Sequence, residues 1–336
     1  MQAFKQYNRA HKPRRQIIFS AVMSLLLLSS FASAMDLSSE PIKPIKPASE
    51  LNQDKVSLGR DLFHDARLSS DNTISCASCH SLKHGGADTS AVSTGVGGAL
   101  GSANTPTVYN SSLNFVQFWN GRAADLLEQV NGPIHNPVEM NSNWPLIVRN
   151  LSQDPGLQSR FSTLYSDGLN AGNIRDAIIE FERSLITLNA PFDRWLKGDE
   201  SAISDAQKQG YRLFKSYGCI SCHQGSNVGG NMYARFGAVK DISEYFSDRG
   251  TPMSETDLGR YTATSDALDR YLFKVPSLRL ASRTSPYFHD GSVTRLEDAI
   301  KIMGRFQLGR EIPDEHITAI SAFIKSLTGE HPELSR

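Results

Sequence analysis

The chain has 336 residues, 39% of them hydrophobic and 21% charged. This is a globular composition that excludes disordered and fibrous classes and gives two domains as a prior. The 35 basic and 35 acidic side chains cancel, but Lys5, Arg9, Lys12, Arg14 and Arg15 all lie in residues 1–34, which hold no acid. The rest of the chain therefore carries a net charge of −5, so nucleic acid is not an expected partner.

In chain order, residues 1–34 read as a secretory signal peptide. They combine a basic start, the apolar run Ile17–Leu28 and Ala32-Ser33-Ala34, with cleavage expected after Ala34. The apolar run is shorter than the ~20 residues of a membrane span, so a soluble periplasmic protein is expected. In residues 35–50, Pro41, Pro44 and Pro47 resist helix and strand and predict an extended strap. The first domain is expected over 51–195. It opens with Gly59-Arg-Asp-Leu-Phe63, a helix, and contains a long loop rich in Gly, Ser and Ala at Gly85–Gly101. The segment Asn173–Leu188 puts Ile174, Ala177, Ile178, Phe181 and Leu185 on one helical face. Asn189–Asp199, with Pro191 and Gly198, reads as a linker into a second domain over 196–336. There Gly210-Tyr-Arg-Leu-Phe214 repeats the earlier GxxLF element. A closing helix is predicted at Asp314–Leu327, with Ile317, Ile320, Ala322, Phe323 and Ile324 facing inward. No strong alternating pattern appears, and the expected fold class is all-α.

Each GxxLF element precedes a CxxCH: Cys76-Ala-Ser-Cys79-His80 and Cys219-Ile-Ser-Cys222-His223. Two thiols three apart on a helical turn can add to the two vinyl groups of one haem. The histidine that follows then presents a ring nitrogen to the iron. A single CxxC could be a redox pair or half of a zinc site, and four cysteines could be two disulfides. Two CxxCH copies point instead to two c-type haems.

The second axial ligand is open at this level. Met303, 80 residues past His223, leaves enough chain to wrap round a haem and is favoured on spacing over Met253. Met232 lies only nine residues past His223, in a glycine-rich turn. Core packing is the alternative use of any one methionine. Near the first motif lies Phe118-Trp-Asn-Gly-Arg-Ala123, with Gln129 ten residues after Trp119 and Glu139 ten after that. Breaking a peroxide O–O bond needs a base that takes one proton and returns it to the leaving oxygen. A partly buried glutamate suits that task, and an amide can orient the peroxide. Trp119 could carry electrons between haems or simply pack.

With these motifs, the chain from Leu51 to Gly329 resembles the bacterial dihaem cytochrome c peroxidases. The resemblance includes Pro137-Val-Glu-Met140, Ala190-Pro-Phe-Asp193, Pro286-Tyr-Phe-His289-Asp-Gly291 and Lys301-Ile-Met-Gly304. It implies two helical cytochrome c-like domains, each with one covalently bound haem. The first haem, ligated by His80, would be the low-potential site where hydrogen peroxide reacts. The second, ligated by His223 and Met303, would be the high-potential site, taking electrons from a small periplasmic cytochrome c or cupredoxin. Trp119 matches the residue between the haems, and Gln129 and Glu139 match the peroxide-site pair. A calcium ion between the domains is also implied, with Asn104, Thr284 and Pro286 as ligands, the last two through backbone carbonyls.

One departure stands out. Many members carry a second histidine sixteen residues after the first CxxCH, where this chain has Val96. His84, only four residues past His80, is a poor substitute. The first haem is therefore expected to be five-coordinate even when oxidised, with no need of reductive activation. Asn120 and Ala103 also differ from the family's frequent Asp and Arg. The competing readings are a dihaem electron carrier and a methylamine-utilisation-type enzyme that oxidises a partner protein. The peroxide-site pair argues against the first. Met303, a Tyr in the second class, argues against the other. A homodimer is usual in the family.

Overall fold

Asn52 opens the first helix by accepting hydrogen bonds from the backbone N–H groups of Asp54 and Lys55. The computed structural model describes residues 39–335. The expected signal peptide, its cut after Ala34 and the first residues of the strap lie outside them. The described helices are α1 (Gln53–Phe63), α2 (Cys76–Cys79), α3 (Leu126–Gln129), α4 (Asn131–His135), α5 (Trp144–Leu151), α6 (Pro155–Leu164), α7 (Ala171–Ser184) and α8 (Pro191–Leu196). They continue as α9 (Asp205–Tyr217), α10 (Ser243–Asp248), α11 (Tyr261–Thr264), α12 (Leu296–Gln307), α13 (Asp314–Ser326) and α14 (Pro332–Ser335). Two short strands, β1 (Tyr233–Arg235) and β2 (Leu272–Lys274), pair antiparallel with Tyr233 opposite Lys274. Among the described residues no helix is long and apolar enough to cross a membrane.

Two helix pairs organise the molecule, and they repeat each other. α1 packs on α7 and α9 on α13. In each pair the glycine of the GxxLF element makes the close approach. A Cβ on Gly59 would fall on the carbonyl of Ala177, beside Phe181. A Cβ on Gly210 would fall on the carbonyl of Ala319, beside Phe323. Only glycine allows that backbone contact. The first pair centres a core of Leu58, Leu62, Phe161, Ile174, Ala177 and Ile178. The second centres one of Tyr211, Phe214, Ile317, Ile320 and Phe323. A further aromatic cluster, including Phe236, Tyr245, Phe246 and Phe273, has Trp119 and Met303 packed against it.

Two segments differ from the sequence reading. The expected linker folds as α8, with Pro191 at its first turn and Phe192 and Trp195 buried in the second core. Proline suits that first turn because no N–H is needed there. The strap is extended as expected, but it is also docked. Ile42 bridges to Gly225 and enters the second core. Ile45 donates its N–H to Asp193, whose carboxylate forms a bidentate pair with the buried Arg279.

Candidate active site

The first CxxCH is a single helical turn closed by the Ser78 hydroxyl, which accepts from the Ser75 N–H at 3.0 Å. It presents Cys76, Cys79 and His80 to a cleft. Neither cysteine is in a disulfide. Burial pushes the Cys76 thiol up to about 12 and lowers the pKa of His80. At neutral pH this leaves protonated thiols and a neutral imidazole. Such thiols are poor nucleophiles, which argues against a redox pair. His80 Nδ1 lies 3.1 Å from the Gly86 carbonyl. A hydrogen bond there fixes the tautomer that leaves Nε2 as a metal ligand. Free paired thiols, an anchored neutral histidine and an adjoining cleft together fit a c-type haem.

The same cleft holds the acid/base candidates. Gln129 at the end of α3, Pro133 in α4 and Glu139 in the following turn all line the cleft. Glu139 accepts a hydrogen bond from Asn136 Nδ2 at 2.6 Å. Burial raises its pKa, while the Asn136 hydrogen bond and the Arg122 charge oppose the rise. Arg122 lies 3.4 Å above the centre of the Phe118 ring. The Trp119 indole donates to the Asn104 carbonyl at 2.8 Å.

Cys76, Cys79, His80, Asn104, Trp119, Gln129 and Glu139 thus line one cleft. Cys219, Cys222, His223, Met303, Thr284 and Pro286 lie outside it. From the 85–101 loop the lining residues are Ser93, Gly95 and Gly101, none of them an imidazole. The Val96 N–H donates to the Glu139 carbonyl at 2.9 Å. His84, capped by the Ser81 hydroxyl, is exposed and not part of the wall. Asn104 uses its amide nitrogen on the carbonyls of Ser90 and Ala91.

Sequence reasoning missed several wall residues. Arg122 and Asn136 flank Glu139, and Glu182 is a buried carboxyl pushed up to about 7 by desolvation. His289 comes from the second half of the chain. Its Nε2 lies 2.7 Å from Asp257, and its ring centre is 6.4 Å from that of Trp119. Arg249 binds both Asp257 and Asp290, so these clustered ligand-type atoms already hold a cation.

A signal for His289 exists in an extension of the internal repeat. Phe118, Trp119 and Gly121 correspond to Phe288, His289 and Gly291. Both phenylalanines take positive φ, 67° and 68°, as do both glycines, at 65° and 61°. Gln117 bridges Ala123 as Tyr287 bridges Val293. The two copies grip each other: Asn104 N–H donates to the His289 carbonyl, and Lys274 N–H to the Trp119 carbonyl, both at 2.8 Å. In the same register Pro133 corresponds to Met303.

The second CxxCH reproduces the first. His223 Nδ1 lies 3.3 Å from the Val228 carbonyl, and burial lowers its pKa to about 4. Cys219 is raised to about 11. Met303 on α12 is half-buried beside the aromatic cluster, whereas Met253 is 48% exposed.

The family model for di-haem cytochrome c peroxidases matches residues 53–201. The cytochrome c551 peroxidase of Nitrosomonas europaea is 42% identical over 315 residues, covering 93% of this chain and 92% of its own. The cytochrome c peroxidase of Escherichia coli strain K12 is 46% identical over 291 residues. That match covers 86% of this chain but 61% of the longer relative. Among solved structures, a MauG-like protein associated with microbial copper homeostasis superposes with a TM-score of 0.74 at 25% identity. It covers 88% of this chain and 96% of its own. The chain belongs to the di-haem cytochrome c peroxidase family. It is a c-type haem oxidoreductase of the cytochrome c peroxidase class.

Proposed function

We propose that the protein is a periplasmic dihaem peroxidase. It reduces hydrogen peroxide to two waters, using two protons and two electrons from a small cytochrome c or cupredoxin. Cys76, Cys79 and His80 would hold one haem, and Cys219, Cys222, His223 and Met303 the other, in two cytochrome c-like domains meeting near residue 195. When bound, the two irons supply an oxygen-binding centre and the store for the second electron. The observation that carries this reading is the convergence of His80, Glu139, Gln129 and Trp119 on one cleft.

Glu139 is the acid/base. As a carboxylate it takes the proton from one peroxide oxygen, and as an acid it returns that proton to the departing oxygen. Burial raises its pKa and so favours the acid form relative to a free carboxyl, and Asn136 fixes its orientation. Gln129 orients the peroxide by its amide. Trp119 stands between the two sites, as the backbone link from Lys274 to its carbonyl suggests. Asn104, with the carbonyls of Thr284 and Pro286, would hold calcium, since its amide nitrogen is already used and its oxygen remains for a cation.

In the first half Pro133 stands at the repeat position of Met303, Val96 replaces the loop histidine, and Met140, which also lines the cleft, is packed into the first core. The first iron should therefore be open without prior reduction. Mixing the fully oxidised holoprotein with hydrogen peroxide in a stopped flow tests this. A rapid spectral change at one haem is expected. No change before reduction but a change after one-electron reduction would refute the open site while keeping the peroxidase. No change in either state would refute the peroxidase.

A further inference from the structure

Lys274 carries a cation into the interior with nothing among the described residues to meet it. The residue is 6% exposed. Burial alone pushes its pKa down to about 8, and no carboxylate raises it again. Its ammonium has no hydrogen-bond or ion-pair partner among the described residues. The other deeply buried cations are paired: Arg279 with Asp193, and Arg249 with Asp257 and Asp290. An unpaired buried charge is costly enough that it is normally matched or neutralised. Lys274 therefore points to an anion that the described residues do not supply.

Its place in the repeat says where that anion belongs. Lys274 corresponds to Asn104. Asn104 lies two residues before Pro106, whose carbonyl faces the His80 ring. Lys274 lies two residues before Pro276, whose carbonyl faces the His223 ring. Asn104 lines the cleft of His80, so Lys274 holds the related position at the site of His223. A haem held there brings two carboxylates of its own, the propionates.

We propose that Lys274 is the counter-ion of a propionate of the haem held by Cys219, Cys222 and His223. The same positive charge, absent at Asn104, helps to set the second haem above the first in reduction potential. A cation near an iron favours the state that has gained an electron. A duplicated scaffold thereby acquires a direction for electron flow. The inference rests on the dihaem reading above.

The test uses the holoprotein as wild type, K274M and K274R. Haem is counted by pyridine haemochrome, and both midpoints are read by spectroelectrochemical titration at several pH values. K274M should lower the midpoint of the second haem, leave the first nearly unmoved, and make the second vary more with pH as the unpaired propionate binds a proton. K274R, which keeps the charge, should lie closer to wild type. If K274M fails to mature, K274Q carries the same expectations. Two haems with an unmoved second midpoint, or an equal fall at both, overturn the assignment of Lys274 alone. A wild-type count below two overturns the dihaem reading, and this inference with it.

Discussion

Glu139→Gln is the sharpest test of the site. The side chain is half-buried, held at 2.6 Å by Asn136, and lies in the field of Arg122. Glutamine has the same shape and keeps an acceptor oxygen for Asn136, so the fold should be unaffected. What is lost is the proton shuttle, worth about 10²–10⁴ in rate or about 3 to 5 kcal/mol of barrier. The pH dependence gives a second handle. Glu139 must be ionised to accept the first proton, and burial raises its pKa. Thus kcat/KM should fall as pH drops through that raised value, and E139Q should lose this acid limb. Arg122 lowers the Glu139 pKa, so R122Q should move the limb to higher pH. The assay is peroxide-dependent oxidation of a reduced small cytochrome c, normalised to haem content. Near wild-type turnover in E139Q, or an acid limb that survives the substitution, would refute the assignment.

M303A should change the visible spectrum of the second haem and lower its midpoint, because a thioether ligand favours the reduced iron. An unchanged spectrum would remove Met303 from the ligand set. D193A strands Arg279 in the interior beneath the strap and should cost about 3 to 5 kcal/mol in denaturant unfolding. A D193A/R279M double variant should recover part of that loss, and simple additivity of the two losses would show that the pair is not coupled. G210A forces a methyl onto the Ala319 carbonyl and should lower stability by about 1 to 3 kcal/mol, as overpacking does. A Tm equal to wild type would mean that the α9–α13 contact yields freely.

The local signals were well written in the sequence, and the long-range ones were not. The face predicted for Asn173–Leu188 is buried at Ile174, Ala177, Ile178, Phe181 and Leu185, because an amphipathic period fixes a buried face wherever the partner comes from. The helix ends at Ser184 rather than Leu188, where Leu185 leaves helical geometry. The spacing of Cys76, Cys79 and His80 is likewise local chemistry. By contrast, Pro191 was ambiguous: it can end a helix or begin one, and burial of Phe192 and Trp195 decided for the second. Nothing within residues 39–50 says that Ile42 docks on the second core, since its neighbours come from almost 200 residues away. His289 is legible only once Phe118–Gly121 and Phe288–Gly291 are laid side by side.

On the proposed reading, that comparison also accounts for one scaffold serving two tasks. In the second repeat, the helix carrying Met303 runs unbroken from Leu296 to Gln307. In the first, Pro133 stands at the related place and lacks both a ligating atom and a backbone N–H. The helix there is two short pieces, α3 and α4, ending at His135. The chain then turns back, with the Met140 N–H donating to the Pro133 carbonyl at 3.1 Å and the Ser142 N–H to the Ile134 carbonyl at 2.7 Å. This turn sets Glu139 in the cleft wall. On the proposed reading Pro133 withholds a ligand from the first iron site, and by lacking an N–H it breaks the helical ladder between α3 and α4, while the turn after His135 carries Glu139 to the cleft. On the proposed reading, the longer helix makes an electron carrier of one copy, and the broken helix makes a peroxide site of the other.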